Sequence, residues 1–108
     1  MKEELTPQQR HALTQVNVYQ QQIQVIISQR QQMEMQLKEI DVAHGELQKE
    51  DVDEVYKAIG PALIKKKKDA VVKDLEKAKE KIETRIKTLK SQETKVRDKM
   101  KELSTKLE

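Results

Sequence analysis

Several residue types are missing or scarce in this chain. It has no cysteine, no phenylalanine and no tryptophan, and only two glycines and two prolines among its 108 residues. Without cysteine it can form neither a disulfide framework nor a thiolate zinc site, so we expect an intracellular, cytoplasmic protein. Its apolar runs are far too short to cross a bilayer and no signal segment opens it, so we expect no membrane partner.

Charged residues are abundant, whereas bulky apolar residues are few. Charged residues make up 38% of the chain and apolar residues 35%. This is too little apolar bulk for a compact globular core, but it suits a seam between two helices, which buries only one stripe from each. The basic residues are concentrated in the second half and the glutamines in the first. At this length we expect a single domain, residues 1–108.

Apolar residues form two heptad stripes that mirror each other. The first stripe is Ala12, Val16, Tyr19, Ile23, Ile26, Arg30, Met33, Leu37, Ile40, His44 and Leu47, and the second is Val71, Leu75, Ala78, Ile82, Ile86, Leu89, Glu93, Val96, Met100, Leu103 and Leu107. Read backwards, the second stripe matches the first layer by layer, with one slip at Ile40 and Ala78. Two helices that fold back on each other need this mirrored spacing. The pattern therefore predicts a mainly α fold, a long antiparallel two-helix coiled-coil hairpin.

The region between the stripes predicts a short β-hairpin. Thr6 can cap the first helix and Pro7 suits its first turn, so this helix is expected over about 6–49. The segments on either side of Gly60-Pro61 are rich in β-branched and apolar residues, and this dipeptide is typical of a tight turn, so the hairpin is expected over about 54–67. Asp69 is expected to cap the second helix, over about 70–107.

We expect this hairpin to pair with other chains. An isolated two-stranded hairpin is marginal in water, and its open edges invite further strands. The residues expected to carry assembly are its apolar and aromatic ones, Val55, Tyr56, Ile59, Leu63 and Ile64. Alternation along the strands leaves open which of them point inward.

The first helix also carries apolar residues outside its stripe, most of them near its start, whereas the second helix shows almost only charged and polar residues there. This clustering favours a contact surface. Because residues before Ala12 would need partners beyond Glu108, we expect the last layers of the seam to be half covered. The expected contact residues are Leu5, Leu13, Val16, Val18, Val25, Ile27, Met100, Leu103 and Leu107.

Three polar residues fall on the stripes. Arg30 and Glu93 occupy adjacent layers, and they either extend outward on their long stems or pair across the seam and fix its register. His44 is either a neutral imidazole beside Leu75 or a pH switch, and the neutral imidazole is favoured.

No motif for catalysis or cofactor binding is present. The sequence has no glycine-rich phosphate loop and no His-x-x-x-His pair, and 33 positions separate His11 from His44 on one helix. We therefore expect no enzymatic activity, no cofactor and no metal. The lysines at 65–68 lack aromatic neighbours that would stack on bases, other than Tyr56, so we expect no nucleic-acid partner.

The segment from Val55 to Lys65 resembles the hairpin of β-type prefoldin subunits. In both, a valine, an aromatic residue and a lysine precede two apolar residues, a Gly-Pro pair, a short apolar run and a basic residue. The Tyr-Gln-Gln-Gln stretch at 19–22 and the glutamine-rich first helix are also similar to this family. The single hairpin is similar to archaeal β-type subunits rather than to α-type subunits, which carry two.

This resemblance implies a subunit of a hexameric, ATP-independent chaperone with two α-type and four β-type subunits. The hairpin would join an intersubunit β-barrel, and the contact residues above would become client-binding residues that hold unfolded proteins and transfer them to a group II chaperonin. Many relatives have a longer polar tail after the second helix. Two alternatives are a structural or tethering coiled coil without clients, which has no use for an apolar hairpin, and a basic nucleic-acid-binding hairpin, which would need a stripe of lysines.

Overall fold

The computed structural model describes residues 4–107 and contains two long helices with a short antiparallel β-hairpin between them. The elements are α1 (Pro7–Lys49), β1 (Glu54–Ile59), β2 (Ala62–Lys67) and α2 (Lys68–Thr105). The predicted fold class is therefore confirmed. The chain divides into two compact units, which are described separately: unit 1 comprises residues 1–32 and 86–108, and unit 2 comprises residues 33–85.

Helix α1 begins with a reciprocal capping arrangement. The backbone N–H of Gln9 donates to Thr6 Oγ1 at 3.1 Å, and the backbone N–H of Thr6 donates to Gln9 Oε1 at 2.9 Å. Two N–H groups that have no partner within the helix are thereby satisfied, and Pro7 has no N–H to satisfy. The predicted helix start is confirmed, and the glutamine three residues after Thr6 contributes a second bond that the sequence analysis did not anticipate.

Unit 1 contains the well-packed part of the seam. Its buried apolar side chains are Ala12, Val16 and Ile23 from α1 and Ile86 and Leu89 from α2, and Leu89 has no exposed surface. The other stripe positions in this unit are half-buried, whereas most residues between them are exposed. The predicted stripes are thus the residues that the two helices turn towards each other.

Arg30 and Glu93 form an ion pair across the seam of unit 1. Arg30 Nε donates to Glu93 Oε1 at 3.3 Å, and the two side chains retain only 22% and 18% of their exposure. The other carboxylate oxygen of Glu93 accepts a hydrogen bond from Arg97 Nε at 3.2 Å. Of the two alternatives for these charges, the structure shows the paired one. Removing a charge from water among apolar residues costs free energy. The pairing of Arg30 with Glu93 offsets part of this cost.

In unit 2 the helices are joined by surface pairs that confirm the antiparallel order. Lys79 Nζ lies 2.8 Å from Asp41 Oδ1, and His44 Nε2 lies 3.3 Å from Glu76 Oε1. The later residue of α1 thus meets the earlier residue of α2. The hydrogen bond to Asp41 raises the pKa of Lys79 above its ordinary value, and the charge of Asp41 acts in the same direction. His44, which was predicted to lie beside Leu75, has the next residue, Glu76, as a polar neighbour.

The β-hairpin has the predicted bounds and a turn that its two central residues determine. Ile59 pairs with Ala62, so Gly60 and Pro61 form a two-residue loop. Gly60 has a φ of 55°, which is favourable only for glycine, whereas the ring of Pro61 requires a negative φ. Positive φ at the first position and negative φ at the second is the type II′ combination, whose twist matches that of the strands.

The junction between β2 and α2 differs from the prediction. Helix α2 begins at Lys68, two residues earlier than expected, so the prediction that Asp69 is its cap is wrong and Asp69 lies in the first turn. The backbone N–H of Lys68 donates to Asp53 O at 2.8 Å, and Lys68 Nζ donates to Glu50 O at 2.6 Å. These bonds tie the start of α2 to the loop between α1 and β1, a long-range constraint that local capping preferences do not reveal. In the first turn Asp69 still faces the positive end of the helix dipole.

The seam ion pair gives a thermodynamic prediction. In a double-mutant cycle with Arg30→Leu and Glu93→Leu, we expect a coupling energy of about 1–2 kcal/mol in the free energy of unfolding, because each single variant removes the partly buried contact between Arg30 and Glu93, while Arg97 still bonds to Glu93. The matched control is Lys79→Leu with Asp41→Leu, an exposed pair that should show a smaller coupling. Chemical denaturation of the four proteins in each cycle measures both. Equal coupling in the two cycles would mean that the seam adds nothing to the Arg30–Glu93 pair.

Candidate functional site

The β-hairpin of unit 2 exposes most of its apolar surface. Leu63 and Tyr56 retain 71% and 68% of their exposure, Ile59 and Ile64 retain almost half, and only Val55 is half-buried. These are the five residues predicted to carry assembly. Large apolar groups on a two-stranded sheet are unstable in water unless another surface covers them. The hairpin is therefore the first candidate interaction site.

The strand register distributes these side chains over both faces of the hairpin. Lys57 pairs with Ile64 and Ile59 pairs with Ala62, so these residues share a face with Val55. Ala58 pairs with Leu63 and Tyr56 with Lys65, so Leu63 and Tyr56 lie on the opposite face. Leu63 and Ile64 consequently cannot point into the same interior. Both faces therefore expose apolar side chains that another surface must bury. The alternation of the sequence alone left open which residues point inward.

An apolar groove lies beside β1 in unit 2. Its volume is about 560 Å³, and its apolar lining comprises Ala43, Leu47, Val55, Ala58, Val71, Leu75 and Ala78. Three carboxylates, those of Glu46, Glu50 and Asp74, also line it. Leu47, Val71 and Leu75 were predicted only as residues of the helix seam, and their place in a groove beside the strand was not predicted. The detectable signal was the small size of the alanines at 43, 58 and 78, which cannot fill the angle between helices and hairpin.

Unit 2 has no buried side chain of its own. All 53 of its residues are described, yet every buried apolar side chain of the described chain belongs to unit 1. Its stripe residues, such as Leu37, Leu47 and Leu75, are only half-buried. A unit that contains a two-stranded sheet, an open apolar groove and no core is incomplete by itself.

Unit 1 carries the second candidate site on the outer side of α1. Leu13, Val18 and Val25 are exposed there, with Val25 at 57%, and Leu5 is exposed just before the helix. Ile27 is half-buried, as are Met100, Leu103 and Leu107 of the second stripe. Val16 differs from the expectation, because it retains only 8% of its exposure. It packs in the seam with Ala12, so the seam stays closed one layer further than its register suggested.

Open grooves accompany these exposed residues. One of about 920 Å³ is lined by the start of α1, including Pro7, His11 and Ala12, and by Leu103 and Lys106. Another of about 440 Å³ lies on α1 between Val18 and Val25. Of the predicted contact residues, Val18 and Val25 of α1 and Leu103 of α2 therefore border these grooves, whereas Leu13 does not.

Within residues 4–107, no three histidine, aspartate or glutamate side chains come close enough to hold a metal ion. Neither helix has, within the same residues, a stretch both long and apolar enough to cross a membrane.

Comparison with known proteins gives consistent results. The sequence profile of the family described as "Prefoldin subunit" matches residues 10–108. The chain is 45% identical over 106 residues to prefoldin subunit beta of Archaeoglobus fulgidus, covering 97% of this chain and 91% of that one. It is 34% identical over 105 residues to prefoldin subunit beta of Pyrococcus horikoshii, covering 96% and 90%. It is also similar to the crystal structure of the prefoldin beta subunit from Thermococcus strain KS-1, with a TM-score of 0.91, 34% identity and coverage of 98% and 94%.

Proposed function

The chain belongs to the prefoldin subunit family, among its archaeal β-type members, and from this membership we propose that it captures unfolded proteins and transfers them to a group II chaperonin. Prefoldin subunits are chaperone subunits that assemble with other prefoldin subunits, so this chain has a chaperone role within a hetero-oligomer. The finer proposal is a hexamer of two α-type and four β-type subunits that acts in the cytoplasm without ATP.

The observation that carries the assembly part is the incompleteness of unit 2. The hairpin is apolar on both faces, and the groove beside β1 continues this apolar surface onto both helices. Strands from neighbouring subunits would cover both faces and satisfy the open edges at the same time. A barrel built from several hairpins provides such cover, whereas a tethering coiled coil would gain nothing from it.

Client capture is assigned to the exposed apolar residues of unit 1. Burying a valine or leucine completely is worth only about 1.5–3 kcal/mol, so each contact is weak and dissociates unaided. Several subunits that act on one unfolded chain add avidity through a high effective concentration. Many weak contacts together retain the client, and each of them can dissociate on its own. Such contacts permit transfer to a chaperonin without nucleotide hydrolysis.

Assembly is tested by placing charge on the hairpin. Leu63→Asp with Ile64→Asp puts one carboxylate on each face, and burial of either would cost several kcal/mol. We expect light scattering to show that the variant no longer forms a hexamer with an α-type subunit, while circular dichroism shows nearly unchanged helicity. The control variant Leu63→Ile with Ile64→Leu conserves volume and should assemble normally. A hexamer in the aspartate variant would show that the strands are not the assembly site.

Client capture is tested within the assembled hexamer. Leu13→Ser, Val18→Ser and Val25→Ser together should leave the hexamer intact and sharply reduce its suppression of aggregation of guanidinium-denatured citrate synthase, because the exposed apolar contacts are lost. Met35 and Val42 are apolar residues of α1 in unit 2 that are more exposed than these three, and Met35→Ser with Val42→Ser is the matched control, which should suppress normally. If both variants behave alike, clients bind elsewhere than on unit 1.

A further inference from the structure

A long stretch of α1 in unit 1 carries no formal charge. Between Arg10 and Arg30 the 19 residues at 11–29 include no aspartate, glutamate, lysine or arginine, in a chain that is 38% charged. The exposed side chains of this segment are amides, hydroxyls and aliphatic groups together with His11. We call the exposed residues of 11–29 the uncharged surface.

The same unit is highly charged on its other helix. The segment of α2 and its following turn at 86–107 contains ten charged residues, seven of them basic. The absence of charge is therefore a property of residues 11–29 of α1 and not of unit 1 as a whole. Charge on α2 supplies solubility, so the uncharged surface is free to serve contact.

Glutamine amides are interleaved with the aliphatic groups on this surface. Gln21 lines two grooves. One, of about 440 Å³, is lined with Val18, Gln22 and Val25 and has no charged residue in its lining, whereas the other, of about 550 Å³, is also lined by Arg97 of α2. In the described part of the chain, none of the hydrogen bonds found uses the side-chain amides of Gln21 or Gln22. Each exposed amide thus offers donors and an acceptor to a ligand.

We propose that the uncharged surface selects uncharged stretches of extended polypeptide, with aliphatic side chains against Val18 and Val25 and backbone groups bonded by the amides of Gln21 and Gln22. This inference rests on the proposed function, since it names the class of client segment that unit 1 holds. A charged client side chain at this surface would lose water and find no counter-charge within 11–29, so such segments are disfavoured. Selection then depends on the absence of charge and not on a sequence motif.

The chemistry of the amides favours an extended ligand over a second copy of this helix. The backbone groups of a helix are already paired with each other, so a helical partner would leave Gln21 and Gln22 without partners when it covered them. An extended chain has unpaired N–H and C=O groups along its whole length, and a glutamine amide can bond to both. A second copy of α1 is therefore the competing occupant that the test must detect.

The test uses the full chain assembled with an α-type subunit and two disordered probes of about 40 residues with equal valine and isoleucine content. One probe carries glutamine, asparagine and serine at its other positions, and the second carries alternating lysine and glutamate at half of them, so both have zero net charge. Fluorescence anisotropy should show the uncharged probe binding about tenfold more tightly. Its affinity should change by less than about twofold between low and high salt, since no ion pair is involved. Equal affinities for the two probes would overturn the inference.

An isosteric pair of variants locates the effect. Gln21→Glu adds a charge to the uncharged surface without changing its shape, and we expect it to weaken binding of the uncharged probe about fivefold. Gln92→Glu makes the same change at an exposed position of α2 in the same unit and should alter binding by less than about twofold. If the two variants are equivalent, binding does not occur at the uncharged surface and the inference fails.

Two further readings separate the possible failures. If the assembled protein does not suppress aggregation of denatured citrate synthase, the proposed function itself fails. If suppression is normal but the probes do not discriminate, only the inference about client chemistry fails. If Gln21→Glu instead dissociates a homo-oligomer of the isolated chain in sedimentation experiments, the surface is covered by a second copy and the inference is also overturned.

Discussion

A seam between two helices can bury one stripe from each helix, and this geometric limit determines the rest of the structure. Unit 1 contains every buried apolar side chain found in residues 4–107. Unit 2 adds a hairpin whose apolar residues lie on two faces, and its two helices leave Tyr56 and Leu63 largely exposed. The chain therefore buries only part of its apolar surface by itself. The rest stays exposed and is available for contact with other polypeptides. Both proposed interactions, assembly and client capture, use that exposed part.

The two uncovered surfaces differ in ways that fit their proposed roles. The hairpin surface combines large apolar groups, open strand edges and an adjoining groove with a carboxylate rim, features that support a specific and permanent interface. The α1 surface of unit 1 is shallower, and glutamine amides separate its aliphatic groups. Such a surface supports many weak contacts with chains of different sequence. The Arg30–Glu93 pair lies in the seam that supports this second surface, and its partial burial holds the two helices in one register.

The sequence predicted the elements accurately because each has a local signal. The heptad spacing identified the seam, the Thr6-Pro7 dipeptide located the start of α1, and Gly60-Pro61 located the turn. Features that depend on distant contacts were not predictable in the same way. Lys68 begins α2 because it bonds to Asp53 and Glu50 across the junction, and Val16 is buried because the seam closes further than its layer count suggested. Predicting the groove beside β1 would require the orientation of the hairpin relative to the helices of unit 2. No local sequence pattern specifies that orientation.

The central claim is that unit 2 acquires its core only when other subunits cover it. Hydrogen exchange of the backbone amides tests this most directly, because it reports local stability segment by segment. The comparison is between the isolated chain, at a concentration where sedimentation shows it to be monomeric, and the same chain assembled with an α-type subunit. The account predicts that exchange in β1 and β2 slows strongly on assembly, while exchange near Ile23 and Leu89 in unit 1 changes little. Equal protection of the hairpin in the isolated and assembled chain would contradict it.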